Sequence, residues 1–362
     1  MAHVSIVGGG IIGLLAAREL RAAGLEVTVL DRGEIGREAS WAGSGILSPL
    51  HPWRQPEAIH PLSLWSQEVY PQLAAALAAE SGVDPERLVS GLLLPDCADA
   101  DAARAWAARW RVPLETLDAT ALRAAEPALA PHAGGILLPQ VAQIRNPRLL
   151  RALRLSLAHA GVAFEEHCEV LGFARRGARV VDLDTRHGRR PVDLLLVAGG
   201  AWSGELLRAC GIELPIAPVR GQILALQTPP GRVRHVVLAE DHYLVPRRDG
   251  LVLAGSTVEH VGFNKTPPPA GADALRTAAA RLVPELADAP QVAHWAGLRP
   301  GSADGVPFIG RHPQLENVVV SAGHFRSGLT LAPASAALAC ALLTGRPAPF
   351  DPAPYRLERA AG

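Results

Sequence analysis

Three glycines and one aspartate near the N-terminus have the types and spacing of a dinucleotide-binding site. The glycines follow the pattern Gly8-x-Gly10-x-x-Gly13, and Asp31 follows on the next predicted strand. Gly8 permits a tight turn, Gly10 lets a pyrophosphate approach the backbone, and Gly13 lets a helix pack closely on a strand. The chemistry that this pattern predicts is the binding of a nucleotide cofactor through backbone N–H groups.

The elements around these glycines form the unit that the pattern needs. Residues 3–7 (HVSIV) and 26–31 (EVTVLD) are typical of buried strands, and the residues between them have the apolar period of a helix. The N–H groups at the helix start, at Ile11 and Ile12, would hold a pyrophosphate without a basic side chain. Asp31 would accept hydrogen bonds from the adenosine ribose hydroxyls and would repel a 2′-phosphate, which argues against NADP. In this βαβ context the pattern predicts dinucleotide binding rather than simple strand–helix packing.

The loop after the second strand indicates which dinucleotide is bound. It reads REASWAGSGILSP (37–49), whereas a nicotinamide enzyme is expected to lead promptly into another strand–helix unit. Backbone N–H groups in such a loop of small residues can bind flavin pyrimidine oxygens and stabilise the negative charge of the reduced ring near N1. An ordinary Gly/Ser loop is the alternative on these residues alone.

The composition excludes several function classes. The 35 Lys+Arg balance 35 Asp+Glu, so no basic surface of the kind that binds nucleic acid is expected. Lys265 is the one lysine, and no Gly-Lys-Ser/Thr phosphate loop occurs. The 13 His show no metal-ligand spacing, and the 4 scattered Cys fit buried thiols of a cytoplasmic protein. No apolar run reaches the roughly 18 residues of a membrane span; the best candidate is 331–343.

The other elements follow from apolar periodicity. Helices are predicted over 58–80, 98–125, 330–343, from Asn146 as a capped start, and after Pro267–Pro269. Strands are predicted near 91–95, 163–173, 178–184, 193–200 and 317–323, with an antiparallel sheet over 216–260 that turns at Arg248-Asp249-Gly250.

This alternation predicts an α/β fold of two domains. A Rossmann-like dinucleotide domain would be assembled from the discontinuous segments 1–85, 140–215 and 295–362. A substrate-binding domain with a mainly antiparallel sheet would comprise 86–139 and 216–294.

Motifs spread over nearly the whole chain point to one family. They are VSIVGGGIIGLLAAREL, DRGEIGREASWAGSGILSPL, NPRLL, LLVAGGAWSGELL, PVRGQ (218–222), GLRPGSADGVPFIG (297–310) and AGHFRSGLTLAP (322–333). Together they resemble the D-amino-acid oxidase family of FAD oxidoreductases. Within that family, GLRPGS, GHFRSG and YLVPRR in register are most similar to the members that oxidise glycine for thiamine thiazole synthesis.

The resemblance implies a two-domain flavoprotein with noncovalent FAD, since the one late cysteine, Cys340, falls in the predicted final helix. Asp31, Phe325 and Ser327 stand where Glu, Tyr and Asn are commoner in the family, and each keeps the size or hydrogen-bonding capacity of the usual residue. The implied FAD contacts are Gly8, Gly10, Ile11, Ile12, Gly13, Asp31, Arg32, Ala39, Ser40, Ser44, Gly45, Ile46, Val170, Gly199, Trp202, His324, Phe325, Arg326, Ser327, Gly328, Leu329 and Thr330.

The resemblance also implies that a hydride leaves the substrate Cα for flavin N5, so the protein must hold that carbon close and exclude water. Arg299 is implied as the clamp on an amino-acid carboxylate, a task that suits a guanidinium fork; a structural arginine that caps carbonyls is the alternative. Tyr243 would bond the same carboxylate unless it is a core tyrosine. Arg326 would contact flavin and substrate unless it faces flavin alone. Val258 would form a wall that keeps the pocket small.

The expected activity is FAD-dependent oxidative deamination of glycine, or of sarcosine or D-alanine, to the imine or 2-oxo acid, ammonia and hydrogen peroxide. Dioxygen is the expected acceptor, and the resemblance suggests a homotetramer. Two alternatives stay open: a D-amino-acid, sarcosine or proline dehydrogenase of the same fold with another acceptor, and a noncatalytic FAD- or partner-binding protein. His242 and His324 are expected to position rather than transfer protons. Lys265 is a polar turn residue or a cation that assists dioxygen reduction.

Overall fold

The computed structural model describes residues 2–361. Its helices are α1 (Ile11–Ala22), α2 (Ala39–Ala42), α3 (Ile59–Ser81), α4 (Ala100–Trp110), α5 (Ala119–Ala125), α6 (Asn146–His159), α7 (Ser203–Ala209), α8 (Pro269–Leu282) and α9 (Gly328–Thr344). Its strands are β1 (His3–Val7), β2 (Glu26–Leu30), β3 (Leu88–Val89), β4 (Leu92–Pro95), β5 (Glu115–Asp118), β6 (Gly134–Leu138), β7 (Ala142–Gln143), β8 (Ala163–Glu165), β9 (Val170–Arg176), β10 (Arg179–Thr185), β11 (Gly188–Pro191), β12 (Leu194–Val197), β13 (Ile216–Gln227), β14 (Val236–Ala239), β15 (His242–Pro246), β16 (Leu251–Gly255), β17 (Gln291–Ser302), β18 (Phe308–Arg311) and β19 (Val318–Ala322).

The predicted βαβ unit is confirmed and lies at the centre of a six-stranded sheet. The strand order is β18-β19-β12-β1-β2-β8, and the strands from β19 to β8 run parallel. Gly24 follows α1 with φ 89°, a left-handed conformation that only glycine adopts without steric cost. In open sheets of this kind, ligands bind beyond the carboxyl ends of the parallel strands. The glycine fingerprint therefore stands at the edge where a cofactor is expected.

A second sheet carries the strands predicted over 216–260. Its eight strands have the order β17-β13-β16-β15-β14-β4-β6-β5, and all pairs except β14 with β4 are antiparallel. β13 and β17 pair over almost their whole length, from Ile216↔Ser302 to Leu226↔Gln291. The domain boundaries stay a prediction, and β17 runs through the expected boundary at residue 295.

The apolar C-terminal segment is a core helix. Residues Phe325–Thr344 are long and apolar enough to cross a membrane by length and composition, but most of this segment is buried inside the protein. α9 contacts α1 and α3. Burial on several sides explains why the segment is hydrophobic all round.

Some elements differ from the prediction. The helix expected over 98–125 is interrupted by β5, whose polar sequence ETLD gives no strand signal and which forms by pairing with β6. The strand expected over 163–173 is two strands, β8 and β9, separated by a turn at His167, where φ is 56°. Asn146 is the first residue of α6 and not its cap, which is Arg145; its side-chain Nδ2 donates to the Ser40 carbonyl at 2.7 Å.

Candidate active site

The fingerprint glycines open onto a cavity that we name the fingerprint cavity. A Cβ on Gly8 would lie 2.3 Å from the Ala198 carbonyl oxygen, and one on Gly13 would lie 1.9 Å from the Gly8 carbonyl oxygen. Neither glycine can be enlarged without moving the backbone. The predicted cofactor residues that line this cavity are Gly8, Gly10, Asp31, Arg32, Ala39, Ser40, Val170, Gly199 and Trp202.

The start of α1 lines the fingerprint cavity, and Ser40 from the small-residue loop caps one of its N–H groups. Gly10 occupies the cap position, and the first turn of the helix contains no acidic residue. The Ile11 N–H donates to Ser40 Oγ at 2.9 Å. The Ile11 N–H, predicted to hold the pyrophosphate, is therefore already paired with Ser40, whereas the positive end of the helix dipole still favours an anion there, as the fingerprint requires.

Asp31 lines the fingerprint cavity. Its carboxylate accepts hydrogen bonds from the N–H groups of Gly9 at 2.8 Å and Gly33 at 2.9 Å, which fix its orientation. Burial raises the pKa of Asp31, and those two backbone N–H groups oppose the shift. Nearby, the Arg32 guanidinium lies 4.7 Å from the ring centroid of Trp202, a cation–π geometry.

A second cavity adjoins the first, and we name it the arginine cavity. Gly10, Ala39, Ser40, Ala198 and Gly200 line both cavities, so together they form one elongated space. The other predicted residues along it are Ile11, Ile12, Ser44, Gly45, Ile46, Tyr243, Arg299, His324, Phe325, Arg326, Gly328, Leu329 and Thr330.

Arg299 on β17 is held in the arginine cavity by neutral acceptors. Its guanidinium donates to Ser256 Oγ at 2.8 Å and to the Thr257 carbonyl at 3.0 Å. A Cβ on Gly221 would lie 2.1 Å from Arg299 Nη2, so glycine makes room for the fork. Burial lowers the pKa of Arg299, and the nearby Arg326 acts in the same direction. Within residues 2–361 no carboxylate forms a salt bridge with Arg299, so the site is suited to an anionic ligand.

Tyr243 and Arg326 reach the same cavity from other elements. Tyr243 is buried on β15 opposite Gly255 of β16, and a Cβ on Gly255 would lie 2.7 Å from the Tyr243 hydroxyl. Arg326 is exposed in the 3₁₀ turn Phe325–Ser327 that precedes α9. Strands from one sheet and a turn from the other thus bring the three predicted substrate residues together.

Several predicted residues lie elsewhere. Gly13 packs α1 on β1 and lines neither cavity, and Ser327 lines a neighbouring cavity. Val258 is 45% exposed and lies outside the arginine-cavity lining, so the structure does not place it as the expected pocket wall. His242 also lies outside that lining. Lys265 pairs with Glu38 at 2.7 Å on the surface.

Some residues of the site are not predicted from the sequence, because only the tertiary structure brings them to the cavity. Leu50, Ser256 and Asn146 line the arginine cavity. Leu50 and Asn146 belong to the motifs that carry the family resemblance, but nothing in the sequence places their side chains, or that of Ser256, in this cavity. The sequence predicts that Asn146 caps α6, whereas its side chain donates a hydrogen bond to the Ser40 carbonyl in the small-residue loop. Its Oδ1 is buried and lacks a hydrogen-bond partner within the described residues. An unpaired buried acceptor beside a cavity is consistent with a ligand that supplies the donor.

Comparison with known proteins decides the family. The model of the family described as FAD dependent oxidoreductase, DAO, matches residues 3–342. The chain belongs to this family. It is 47% identical over 364 residues to glycine oxidase of Pseudomonas putida, with 99% of each chain covered. It is 49% identical over 355 residues to glycine oxidase of Pseudomonas aeruginosa, with 98% of each covered.

A solved structure agrees with the DAO family assignment. The crystal structure of glycine oxidase from Geobacillus kaustophilus matches with a TM-score of 0.94 and 31% identity, covering 100% of both chains. The expected α/β fold of a two-domain flavoprotein is confirmed. The chain is an FAD-dependent oxidoreductase. The helix start without an acidic residue, the glycines whose Cβ would meet backbone and the unpaired Asn146 Oδ1 all fit that cofactor.

His324 lies at the end of the arginine cavity in this DAO-family site. It is buried, and its Nε2 shares a hydrogen bond with Ser335 Oγ at 3.0 Å. Burial lowers the pKa of His324 to about 3, so the imidazole is neutral at physiological pH. A neutral, tightly held ring agrees with a positioning role at the start of α9.

The buried neutral His324 predicts a loss of stability in acid. Its pKa is about 3 in the folded state against an ordinary value of roughly 6.5, so below pH 6.5 the unfolded state binds a proton that the folded state does not. Replacing His324 by Gln should cost stability at pH 7.5, and the deficit should shrink by about 1.4 kcal/mol per pH unit below 6.5. Denaturant unfolding at pH 7.5 and 5.0 measures this, with exposed His260→Gln as the control. A deficit that is the same at both pH values would contradict the prediction.

Proposed function

We propose that this protein oxidatively deaminates glycine, and other small amines such as sarcosine and D-alanine, to the imine or 2-oxo acid, ammonia and hydrogen peroxide. The observation that carries the proposal is Arg299, a cation with no carboxylate salt bridge within the described residues, in the cavity that continues from the dinucleotide fingerprint. The glycine oxidases to which the chain is similar over nearly its full length support the same substrate.

FAD would lie along the joined cavities with its adenosine at Asp31. The fingerprint residues Gly8 and Gly10, with the start of α1, would hold the pyrophosphate. The loop from Ser40 to Ile46 and the turn from His324 to Thr330 would surround the flavin ring. When bound, FAD supplies the acceptor for a hydride from the substrate Cα.

The side chains of the arginine cavity bind and orient the substrate. Arg299 would grip the carboxylate through two parallel N–H donors, and the Tyr243 hydroxyl would donate to the same group. These contacts fix the Cα hydrogen relative to the flavin ring, which lowers the entropic part of the barrier. Leu50 and Phe325 line the cavity with apolar surface that excludes water. Arg326 would approach both flavin and substrate from the mouth.

The finer features of the activity are part of the proposal. Dioxygen would be the electron acceptor, and the imine product would serve thiamine thiazole synthesis. A relative from Synechocystis, 34% identical over 347 residues, is named "Bifunctional protein ThiO/ThiG". The name says that this relative has two activities in one polypeptide, which supports a link between the proposed oxidation and a second reaction. We further propose a cytoplasmic homotetramer. The surface pair of Lys265 with Glu38 argues for a structural role of this lysine rather than one in dioxygen reduction.

The test is a substrate panel with two readouts. Purified yellow protein should form hydrogen peroxide with glycine, and anaerobic glycine should bleach the flavin absorbance. Bleaching without peroxide, but with reduction of an artificial dye, would favour a dehydrogenase of the same fold. Flavin that glycine, sarcosine, D-alanine and proline all fail to bleach would defeat the proposal and favour a noncatalytic binding protein.

A further inference from the structure

Two consecutive arginines follow β15, and one is buried while the other is exposed. The Arg247 residue is only 7% exposed. The Arg248 side chain is 52% exposed and pairs with Asp84 at 3.2 Å. Burying a guanidinium is costly unless its donors are satisfied, so the contacts of Arg247 need an explanation.

The donors of Arg247 are satisfied by neutral groups. Its Nη1 donates to Gln143 Oε1 at 2.7 Å and to the Ile144 carbonyl at 3.1 Å, and its Nη2 donates to the Ser44 carbonyl at 2.7 Å. Within residues 2–361 no carboxylate forms a salt bridge with it. Burial lowers the pKa of Arg247 to about 10, so the guanidinium keeps its charge at neutral pH. The cation is thus buried and not neutralised by a bonded partner.

The guanidinium lies directly behind a wall of the arginine cavity. Gly45 lines that cavity, and a Cβ on Gly45 would lie 3.1 Å from Arg247 Nη2. The same Cβ would lie 1.9 Å from the Ile144 carbonyl oxygen, so the wall at this point is a bare backbone. The Ile144 N–H donates to the Gly45 carbonyl at 2.8 Å. Arg247 bonds to both of the backbone segments that this hydrogen bond joins.

We propose that Arg247 is a positioning residue that fixes the Ser44–Ile46 wall beside the flavin ring and favours reduction of the ring through its positive charge. The inference rests on the flavin lying in the arginine cavity, as in the proposed function. On reduction to its anion the ring takes up two electrons and one proton and gains one negative charge. A cation behind a thin wall, with little water between, stabilises that charge more than a surface cation would.

Three variants separate the charge of Arg247 from its hydrogen bonds. Arg247→Gln keeps N–H donors but removes the charge, Arg247→Lys keeps the charge but loses the fork, and Arg248→Gln is the matched control on the adjacent surface residue. The measurements are the two-electron midpoint potential of bound FAD and the Kd of FAD for the apoprotein. Neither needs an amine substrate, so they remain valid if the proposed reaction with glycine fails.

We expect Arg247→Gln to make flavin reduction at least tenfold less favourable, which lowers the two-electron midpoint potential by about 30 mV or more. Arg247→Lys should stay within threefold of the parent in reduction equilibrium but bind FAD at least tenfold more weakly, since the wall is no longer fixed. Arg248→Gln should change neither quantity. An unchanged potential in Arg247→Gln would overturn the role of the charge. If that variant does not fold, a potential in Arg247→Lys shifted by more than 30 mV would overturn it instead.

Discussion

Replacing Arg299 by Leu should raise the KM for glycine by roughly 100- to 1000-fold, while the protein still folds and binds FAD. The substitution removes a charge-assisted fork and leaves a substrate carboxylate in a partly buried cavity without its counter-ion, a loss of about 3–4 kcal/mol. Ser256 Oγ and the Thr257 carbonyl also lose their donor, but both lie near the cavity, where water can replace it.

Steady-state kinetics and anaerobic glycine titration measure this effect. Arg299→Lys should give an intermediate KM, because it keeps the charge without the bidentate geometry. Arg281→Leu, at an exposed position on α8, controls for the loss of one positive charge from the whole protein. A KM for glycine that stays within threefold of the parent, at full flavin content, would show that the carboxylate binds elsewhere.

The sequence is sufficient where the site is local. Gly8, Gly10, Gly13 and Asp31 lie within one βαβ unit, so their spacing alone predicts how backbone, helix dipole and carboxylate come together. The period of apolar residues likewise predicts the strands of that unit, because both are buried in a parallel sheet.

The substrate end is different, because it is assembled by strand order. Tyr243 on β15 and Arg299 on β17 are separated in the sheet by β16 and β13, and no periodicity in one sequence specifies that order. The family resemblance, and not the periodicity, predicts that these two residues lie close together. β17 itself was missed, because its sequence QVAHWAGLRPGS contains two glycines and a proline and becomes a strand by pairing with β13.

Arg247 marks the same limit at the level of one residue. Arg247 follows β15 and Arg248 lies in the predicted turn Arg248-Asp249-Gly250, so no strand alternation specifies which of the two arginines is buried. That choice is made by the carbonyls of Ser44 and Ile144, which come from distant parts of the chain.

Replacing Gly13 by Ala should lower the free energy of unfolding by about 3 kcal/mol or more and strongly reduce the FAD content of the purified protein. A Cβ at this position would lie 1.9 Å from the Gly8 carbonyl oxygen, which is backbone and cannot rotate away. α1 must therefore move off β1, and the cost of such overpacking is about 1–3 kcal/mol, occasionally more. The same movement shifts Gly8 and the start of α1, the two features that would hold the pyrophosphate.

Gly33→Ala is the matched control, because the nearest atom to its new Cβ would be Asp31 Oδ1 at 3.9 Å, an ordinary contact. Thermal unfolding of the apoprotein and the ratio of flavin to protein absorbance separate the two effects of Gly13→Ala. Bound FAD stabilises the folded state by mass action, so a variant that lost only affinity would match the parent once both were stripped of flavin. An apoprotein of Gly13→Ala as stable as that of Gly33→Ala would therefore show that α1 and β1 tolerate the extra methyl group, and that Gly13 is not required for their close approach.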